Sequence, residues 1–215
     1  MDFIGRYWIY GVGFIGQALF GARLIVQWFY SEKQGKVVSP TLYWQLSLIA
    51  SFIILLYGIL RMDVIIVLGQ LLSYYIYIRN LQLKNNWQSI PKFPRIILSI
   101  LPVIVLCALF LSDAQAFINI FTRSDFLHPL TLLGAIGQLT LNFRFVYQWL
   151  YSERKGMSVL PLGFWILSLM ASLMILVYAS YRRDPVLLVS QSLGLVAYTR
   201  NIFIYARNHY TSEVK

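Results

Sequence analysis

The sequence has few charged residues and almost none of the side chains that bind metals or form disulfides. Charged residues make up only 12% of it, about half the share of a typical soluble domain. Cys107 is the single cysteine, which excludes a disulfide framework within the chain. The two histidines, His128 and His209, lack the spacing of a metal site. We therefore expect no metal and no other cofactor.

Signatures of catalysis are also missing from the sequence. It contains no G-x-S-x-G elbow, phosphate-binding loop, paired carboxylates or Cys/His dyad, so we expect no enzyme activity from this chain. Hydrophobic residues make up 59% of the chain and the mean hydropathy is +0.66. This composition is typical of an integral membrane protein.

The sequence contains one long segment twice. When the chain is shifted by 121 positions, Gly137–Asn201 aligns with Gly16–Asn80 without a gap, and 27 of the 65 aligned positions are identical. Many identical positions are polar residues inside apolar runs, where a merely packed helix carries leucine. An internal repeat of this kind determines the architecture.

The apolar runs predict an all-α membrane protein with seven transmembrane helices. A span needs about 20 apolar residues, and the runs lie near 7–29, 40–60, 64–83, 96–111, 129–150, 161–181 and 186–205. They form two three-helix repeats, 1–83 and 129–215, joined by a linker region, 84–128, that contains the fourth helix. Gly35 and Gly156 predict a tight turn after the first helix of each repeat, and Pro40 and Pro161 predict the first turn of the second.

Basic residues predict the topology. With seven crossings, one side of the membrane carries eleven of them, including Lys33, Lys36, Arg154 and Lys155, and the other carries five. The positive-inside rule then places the N-terminus in the periplasm and the C-terminus in the cytoplasm, with the two repeats parallel. The net charge of +10 is explained by this rule, so nucleic acid is the weaker choice of partner.

Each predicted helix of a repeat carries a polar stripe, as a wet central cavity would require. The candidate ligand-binding residues are Arg23, Gln27, Trp44, Gln70, Tyr77 and Asn80 in the first repeat and Arg144, Gln148, Trp165, Gln191, Tyr198 and Asn201 in the second. Arg23 lies eight residues before Ser31, ~12 Å along a helix, which is too deep for easy snorkelling. No acidic residue lies in a predicted span, so the two arginines predict an anionic ligand, with phosphate the natural candidate. We expect them to form one anion site on the pseudo-twofold axis.

Structural alternatives exist for the other polar and aromatic residues on these helix faces, which include Ser47 and Ser51. Ser47 and Ser51 suit close helix packing, Gln70 and Asn80 suit cross-links between helices, and Trp44 suits an interfacial anchor.

Two further sets of charged residues have separate predicted roles. Arg79 and Arg200 point away from the stripe, so we expect them to snorkel to the cytoplasmic surface or pair with Glu32 and Glu153. We therefore rank Arg79, Arg200, Glu32 and Glu153 below the stripe residues as candidates for the site, and call them second-rank. At the predicted periplasmic end of the cavity, two ion pairs are candidates for a gate, Arg61–Asp184 and Asp63–Arg182.

The repeated motif resembles a known family. The string Arg23-x3-Gln27-Trp28-x2-Ser31-Glu32-Lys33-x-Gly35-x2-Val38-x-Pro40-x3-Trp44-x2-Ser47 is similar to the lipid-A-disaccharide synthase N-terminal-like domain family, and the second copy matches it too. That family is similar to the PQ-loop and SWEET transporters, which share the three-one-three helix plan. Val26 and Tyr147 stand where the PQ-loop motif has proline.

The resemblance implies a role in lipid A or lipopolysaccharide synthesis or modification. Together with the arginines, it suggests a flippase in the bacterial inner membrane for a lipid-linked sugar phosphate, such as a sugar on undecaprenyl phosphate. The arginines would hold the phosphate, the glutamines the headgroup and the tryptophans the sugar. Expected partners are this anionic lipid, membrane lipids and a glycosyltransferase of lipid A modification. The alternatives are a SWEET-like carrier of small sugars and a non-transporting accessory subunit of a lipid A glycosyltransferase.

Overall fold

The computed structural model describes residues 7–60, 64–112, 128–183 and 185–213. Within these ranges the chain forms seven α-helices and one short 3-10 turn, and no strand. The predicted all-α class is therefore confirmed for the described part of the chain.

The helices follow the predicted order of three, one and three. Those of the first repeat are α1 (Tyr7–Gln34), α2 (Thr41–Leu60) and α3 (Val64–Leu83). After the 3-10 turn Trp87–Ser89 comes the linker helix α4 (Lys92–Ser112). Those of the second repeat are α5 (Pro129–Lys155), α6 (Leu162–Arg182) and α7 (Pro185–Glu213).

Several helices extend beyond the predicted spans because polar residues continue the helix past the apolar run. α1 ends at Gln34 and not near Phe29, and α5 ends at Lys155 and not near Leu150. Lys92, assigned to the polar linker, begins α4, which has 21 residues with Pro102 inside it. Apolar content marks the part of a helix that suits lipid, whereas the backbone hydrogen bonds extend past it.

The turns between α1 and α2 and between α5 and α6 are equivalent. Gly35 and Gly156 adopt φ of 63° and 64°, the left-handed conformation that favours glycine. Gly156 is the C-cap of α5, and its N–H donates to the carbonyl of Glu153 at 3.2 Å. Pro161 is the N-cap of α6 and not its first helical residue, one position before the predicted place.

Part of the predicted gate lies outside the described residues. The gate residues that lie outside them are Arg61, Asp63 and Asp184. Most of the predicted periplasmic stretch, 113–127, also lies outside them. Arg182 is exposed in the last turn of α6, and the gate pairing stays a prediction.

Three of the described helices are long and apolar enough to cross a membrane. They are Trp8–Gln34, Thr41–Leu60 and Leu162–Arg182. Large apolar side chains also lie exposed on several helices, including Phe14, Phe93 and Leu193, each at least 67% exposed. A membrane protein is therefore plausible, and the seven-crossing arrangement stays a prediction.

The chain divides into two compact units that do not coincide with the two repeats. The first consists of the described residues within 1–23 and 44–123, and the second of those within 24–43 and 124–215. α1 therefore begins in one unit and ends in the other. The C-terminal part of α1 and the turn after it, although they belong to the first repeat, are packed in the second unit.

Candidate functional site

Arg23 lies in the first unit, buried among side chains of α2 and α3. Its side chain is 6% exposed, and Nη1 donates to the hydroxyls of Ser47 at 2.9 Å and Tyr77 at 3.0 Å. The guanidinium carbon also lies 4.4 Å from the ring centroid of Phe20. Hydroxyl groups and an aromatic face therefore surround this cation.

Arg144 is the counterpart in the second unit, and three aromatic rings lie beside it. It is 5% exposed, and Nη1 donates to Ser168 Oγ at 2.8 Å. The guanidinium carbon lies 4.9–5.3 Å from the ring centroids of Phe145, Phe164 and Tyr198. Its Nε atom is buried without a hydrogen-bond acceptor among the described residues.

Neither unit contains a buried carboxylate among its described residues. The buried polar side chains are two arginines, two glutamines, two asparagines and nine serines. Removing a cation from water is costly when no anion replaces the solvent, because the low dielectric leaves its charge uncompensated. Among the described residues, no buried carboxylate compensates the charge of Arg144.

The two repeated tryptophans are fully buried beside the two repeated tyrosines. Trp44 and Trp165 are both 0% exposed, and each ring centroid lies 6.1 Å from that of Tyr77 or Tyr198 at an angle of 40°. The structure contradicts the interfacial-anchor interpretation of Trp44, because an anchor has to reach the membrane surface. The sugar-binding role of both tryptophans stays a prediction.

Gln27 bonds to a residue of the other repeat. Within the second unit, its amide nitrogen donates to Asn201 Oδ1 at 2.8 Å, and its amide oxygen accepts from Asn201 Nδ2 at 3.0 Å. The same nitrogen also lies 2.9 Å from Ser31 Oγ and 3.2 Å from the carbonyl of Val38. Both ends of the amide are occupied, so binding a headgroup would require some of these bonds to break.

Gln148 bonds to a serine hydroxyl and to a backbone carbonyl in the turn after α5, as Gln27 does after α1. Its amide nitrogen donates to Ser152 Oγ at 2.7 Å and to the carbonyl of Val159 at 2.8 Å. Ser152 Oγ also accepts from the backbone N–H of Val159 at 3.2 Å.

In the first unit, Asn80 is fully buried and donates to the carbonyl of Ile76 at 2.9 Å.

Gln70 and Gln191 join neighbouring helices within each repeat. Gln70 accepts from Ser51 at 2.9 Å, and Gln191 accepts from Ser172 at 2.8 Å. Both glutamines are half-buried. The contacts agree with the cross-linking alternative, and the ligand-binding role of these residues stays a prediction.

Arg200, one of the two second-rank arginines, pairs with a predicted partner. It forms a bidentate ion pair with Glu32: Nε donates to Oε1, and Nη2 donates to Oε2 at 3.0 Å. Both side chains are exposed. Arg79 donates to Gln82 at 3.0 Å, and Glu153 accepts from the indole of Trp149 at 2.8 Å.

Sequence reasoning missed two features of these sites. The rings of Phe145 and Phe164 contact Arg144, but the repeat alignment places Leu24 and Tyr43 opposite them, so identity between copies gives no signal. The hydroxyls of Ser39 and Ser158 lie 3.1 Å apart, although these serines are not equivalent positions in the repeat. Among the described residues, no cluster of metal-binding side chains is present.

A comparison with protein families finds the same domain twice in the chain. The model of the lipid A biosynthesis N-terminal domain matches residues 12–82 and 133–203. No solved structure matches the chain.

Curated relatives are lipid-A-disaccharide synthases of Chlamydia. The protein of Chlamydia muridarum is 30% identical over 215 residues, and that of Chlamydia trachomatis serovar D is 27% identical over 209. Each match covers 93% of this chain and 34% of the relative, so the chain spans about one third of their length. Because the family model covers most of the chain in two copies, the protein belongs to the lipid A biosynthesis N-terminal domain family.

Proposed function

We propose that this protein binds the phosphate group of a lipid-linked sugar inside the bacterial inner membrane and moves the lipid between the two leaflets. The product would serve lipid A or lipopolysaccharide synthesis. The observation that carries the proposal is Arg144, a nearly buried cation with no buried carboxylate among the described residues.

The chemistry of the guanidinium supports a phosphate ligand. Its planar N–H groups match phosphate oxygens in a bidentate arrangement, which a lysine ammonium does not provide. A central arginine costs ~2.5–3.5 kcal/mol on insertion scales, so the presence of Arg144 needs a reason. An anionic headgroup that loses its own hydration inside the membrane supplies one.

The proposed architecture is a SWEET-like arrangement of seven membrane-spanning helices with two parallel repeats. The apolar side chains exposed on α1, α4 and α7 support it, since lipid would cover them. In this arrangement the N-terminus is periplasmic and the C-terminus cytoplasmic, as the distribution of basic residues favours.

A second candidate function is that of a membrane accessory subunit that recruits a lipid A glycosyltransferase. One observation favours it: relatives named lipid-A-disaccharide synthase contain the region that matches this chain as about one third of their length. A region joined to an enzyme in one protein is a candidate partner of that enzyme when it occurs elsewhere. A carrier of neutral small sugars is less favoured, because it would not require Arg144.

The decisive experiment measures transbilayer movement in proteoliposomes. A polyprenyl-phosphate sugar with a radiolabelled sugar is incorporated, and an impermeant oxidant reports how much of it reaches the outer leaflet. We expect Arg144→Gln to reduce the rate at least tenfold and Lys155→Gln, which removes an exposed charge, to leave it unchanged. If wild-type vesicles move the lipid no faster than empty ones, while the protein binds a lipid A glycosyltransferase, the accessory role is correct.

A further inference from the structure

We propose that the phosphate binds in the second repeat only, with one of its oxygens held between Arg144 Nε and the indole N–H of Trp165. This inference rests on the proposed function and names the atoms of its site. It replaces the expectation of one anion site shared by Arg23 and Arg144 with a functional difference between the repeats.

The first observation is a pair of buried donors that lack acceptors. Arg144 is 5% exposed and Trp165 is 0% exposed. Neither Arg144 Nε nor Trp165 Nε1 has a hydrogen-bond acceptor among the described residues. A buried donor left unsatisfied costs roughly 1–3 kcal/mol, and more when it is charged. Two such donors therefore indicate that a ligand supplies the acceptor in the functional protein.

The second observation is that both donors lie against the same two rings. The Phe164 centroid is 5.0 Å from the guanidinium carbon and 5.0 Å from the Trp165 ring centroid. The Tyr198 centroid lies 5.3 Å from the guanidinium carbon and 6.1 Å from the Trp165 centroid. The two N–H groups therefore belong to one cluster on α5, α6 and α7.

The first repeat differs from the second at the equivalent residues. Arg23 donates to two hydroxyls, those of Ser47 and Tyr77, whereas Arg144 donates, among the described residues, to Ser168 alone. Trp44 has a further interaction within the protein and is not among the buried donors without an acceptor. The Nε atoms of both arginines lack an acceptor among the described residues, so the repeats differ in the hydroxyl bond to Tyr77 and in the open indole N–H of Trp165. The first cluster therefore has fewer open donors than the second.

The chemistry of the open donors selects the class of ligand. One donor is charged and the other is a neutral N–H that cannot accept, so the ligand must offer lone pairs and negative charge. A phosphate monoester or diester oxygen meets both conditions. The surrounding rings lower the local dielectric, which strengthens the attraction between phosphate and guanidinium.

The test compares tryptophan variants at equivalent positions of the repeats. The purified protein in detergent is titrated with a polyprenyl monophosphate and, separately, with the same polyprenol without phosphate. Trp165→Phe keeps an aromatic ring and removes one donor, so we expect it to weaken binding of the phosphate lipid about tenfold. Trp44→Phe should bind this lipid, which carries no sugar, within twofold of wild type, because the proposed phosphate site lies in the second repeat. Arg144→Gln, with Lys155→Gln as its control, tests the second donor should Trp165→Phe fail to fold.

Each outcome of the titration decides a different point. Equal affinities for Trp165→Phe, Arg144→Gln and wild type overturn the site, and indicate that a buried water satisfies the donors. A loss shared equally by Trp44→Phe overturns the difference between the repeats. A wild-type protein that does not distinguish the phosphate from the alcohol overturns the proposed function as well. Competition by inorganic phosphate would support the site and show that it recognises the phosphate group itself.

Discussion

At the scale of single residues, Tyr77 and Tyr198 show how identical side chains acquire different roles. Both are buried, and both pack against the repeated tryptophan at 6.1 Å. Only Tyr77 accepts a hydrogen bond from the arginine of its repeat. The aligned sequences, in which both residues are tyrosine, do not show this difference.

We expect Tyr77→Phe to destabilise the protein more than Tyr198→Phe does. The first substitution removes an acceptor from a charged donor, a bond worth about 1.5–3 kcal/mol. The second removes a hydroxyl that receives no bond from Arg144. Thermal unfolding of both variants in the same detergent measures the difference. Equal losses of stability would show that the hydroxyl of Tyr77 adds nothing to the burial of Arg23.

The sequence predicted the positions of these residues better than their partners. Polar residues repeated inside apolar runs singled out Arg23, Gln27 and Arg144, which the structure buries, whereas their ligand-binding role stays a prediction. The sequence did not reveal that Phe164 lies beside Arg144. Which apolar residue faces a cation depends on helix packing, and an apolar run offers many equivalent candidates.

At the scale of helices, the end of α1 is held by bonds to α7. The amides of Gln27 and Asn201 exchange two hydrogen bonds, and Glu32 pairs with Arg200. Helical periodicity predicted the faces on which these residues lie. It did not predict that the end of a first-repeat helix packs with the second repeat, because periodicity within one helix carries no information about its neighbour.

A double-mutant cycle on this amide pair should show favourable coupling. Gln27→Leu and Asn201→Leu each leave one buried amide with unmatched hydrogen-bonding groups, whereas the double variant removes both. Coupling energies of side-chain hydrogen bonds in a membrane protein average ~0.6 kcal/mol, with a maximum near 1.7. Two bonds place the expected value in the upper part of that range. Strictly additive losses of unfolding free energy would mean that each amide acts through its other partners.

At the scale of the whole molecule, the fourth helix decides the orientation of the second repeat. Its apolar run, 96–111, is short for a span, but the helix extends over Lys92–Ser112. At 1.5 Å per residue its 21 residues reach about 30 Å, the thickness of the hydrocarbon core. A crossing of α4 makes the repeats parallel, and its absence makes them inverted. The length of this helix was missed because Lys92 and Arg95 were counted as linker.

Cysteine labelling of intact cells tests whether α4 crosses the membrane. Native Cys107 is exposed, so it is first replaced by serine. In that background a cysteine at Ser89, in the 3-10 turn before α4, should resist an impermeant thiol reagent, because the distribution of basic residues predicts that this turn is cytoplasmic. A cysteine at Lys36 serves as a cytoplasmic control and should resist too. One at Ser112, the last residue of α4, should react. Equal protection at positions 89 and 112, with both reacting after cell lysis, would place the two ends of α4 on one side and make the repeats inverted.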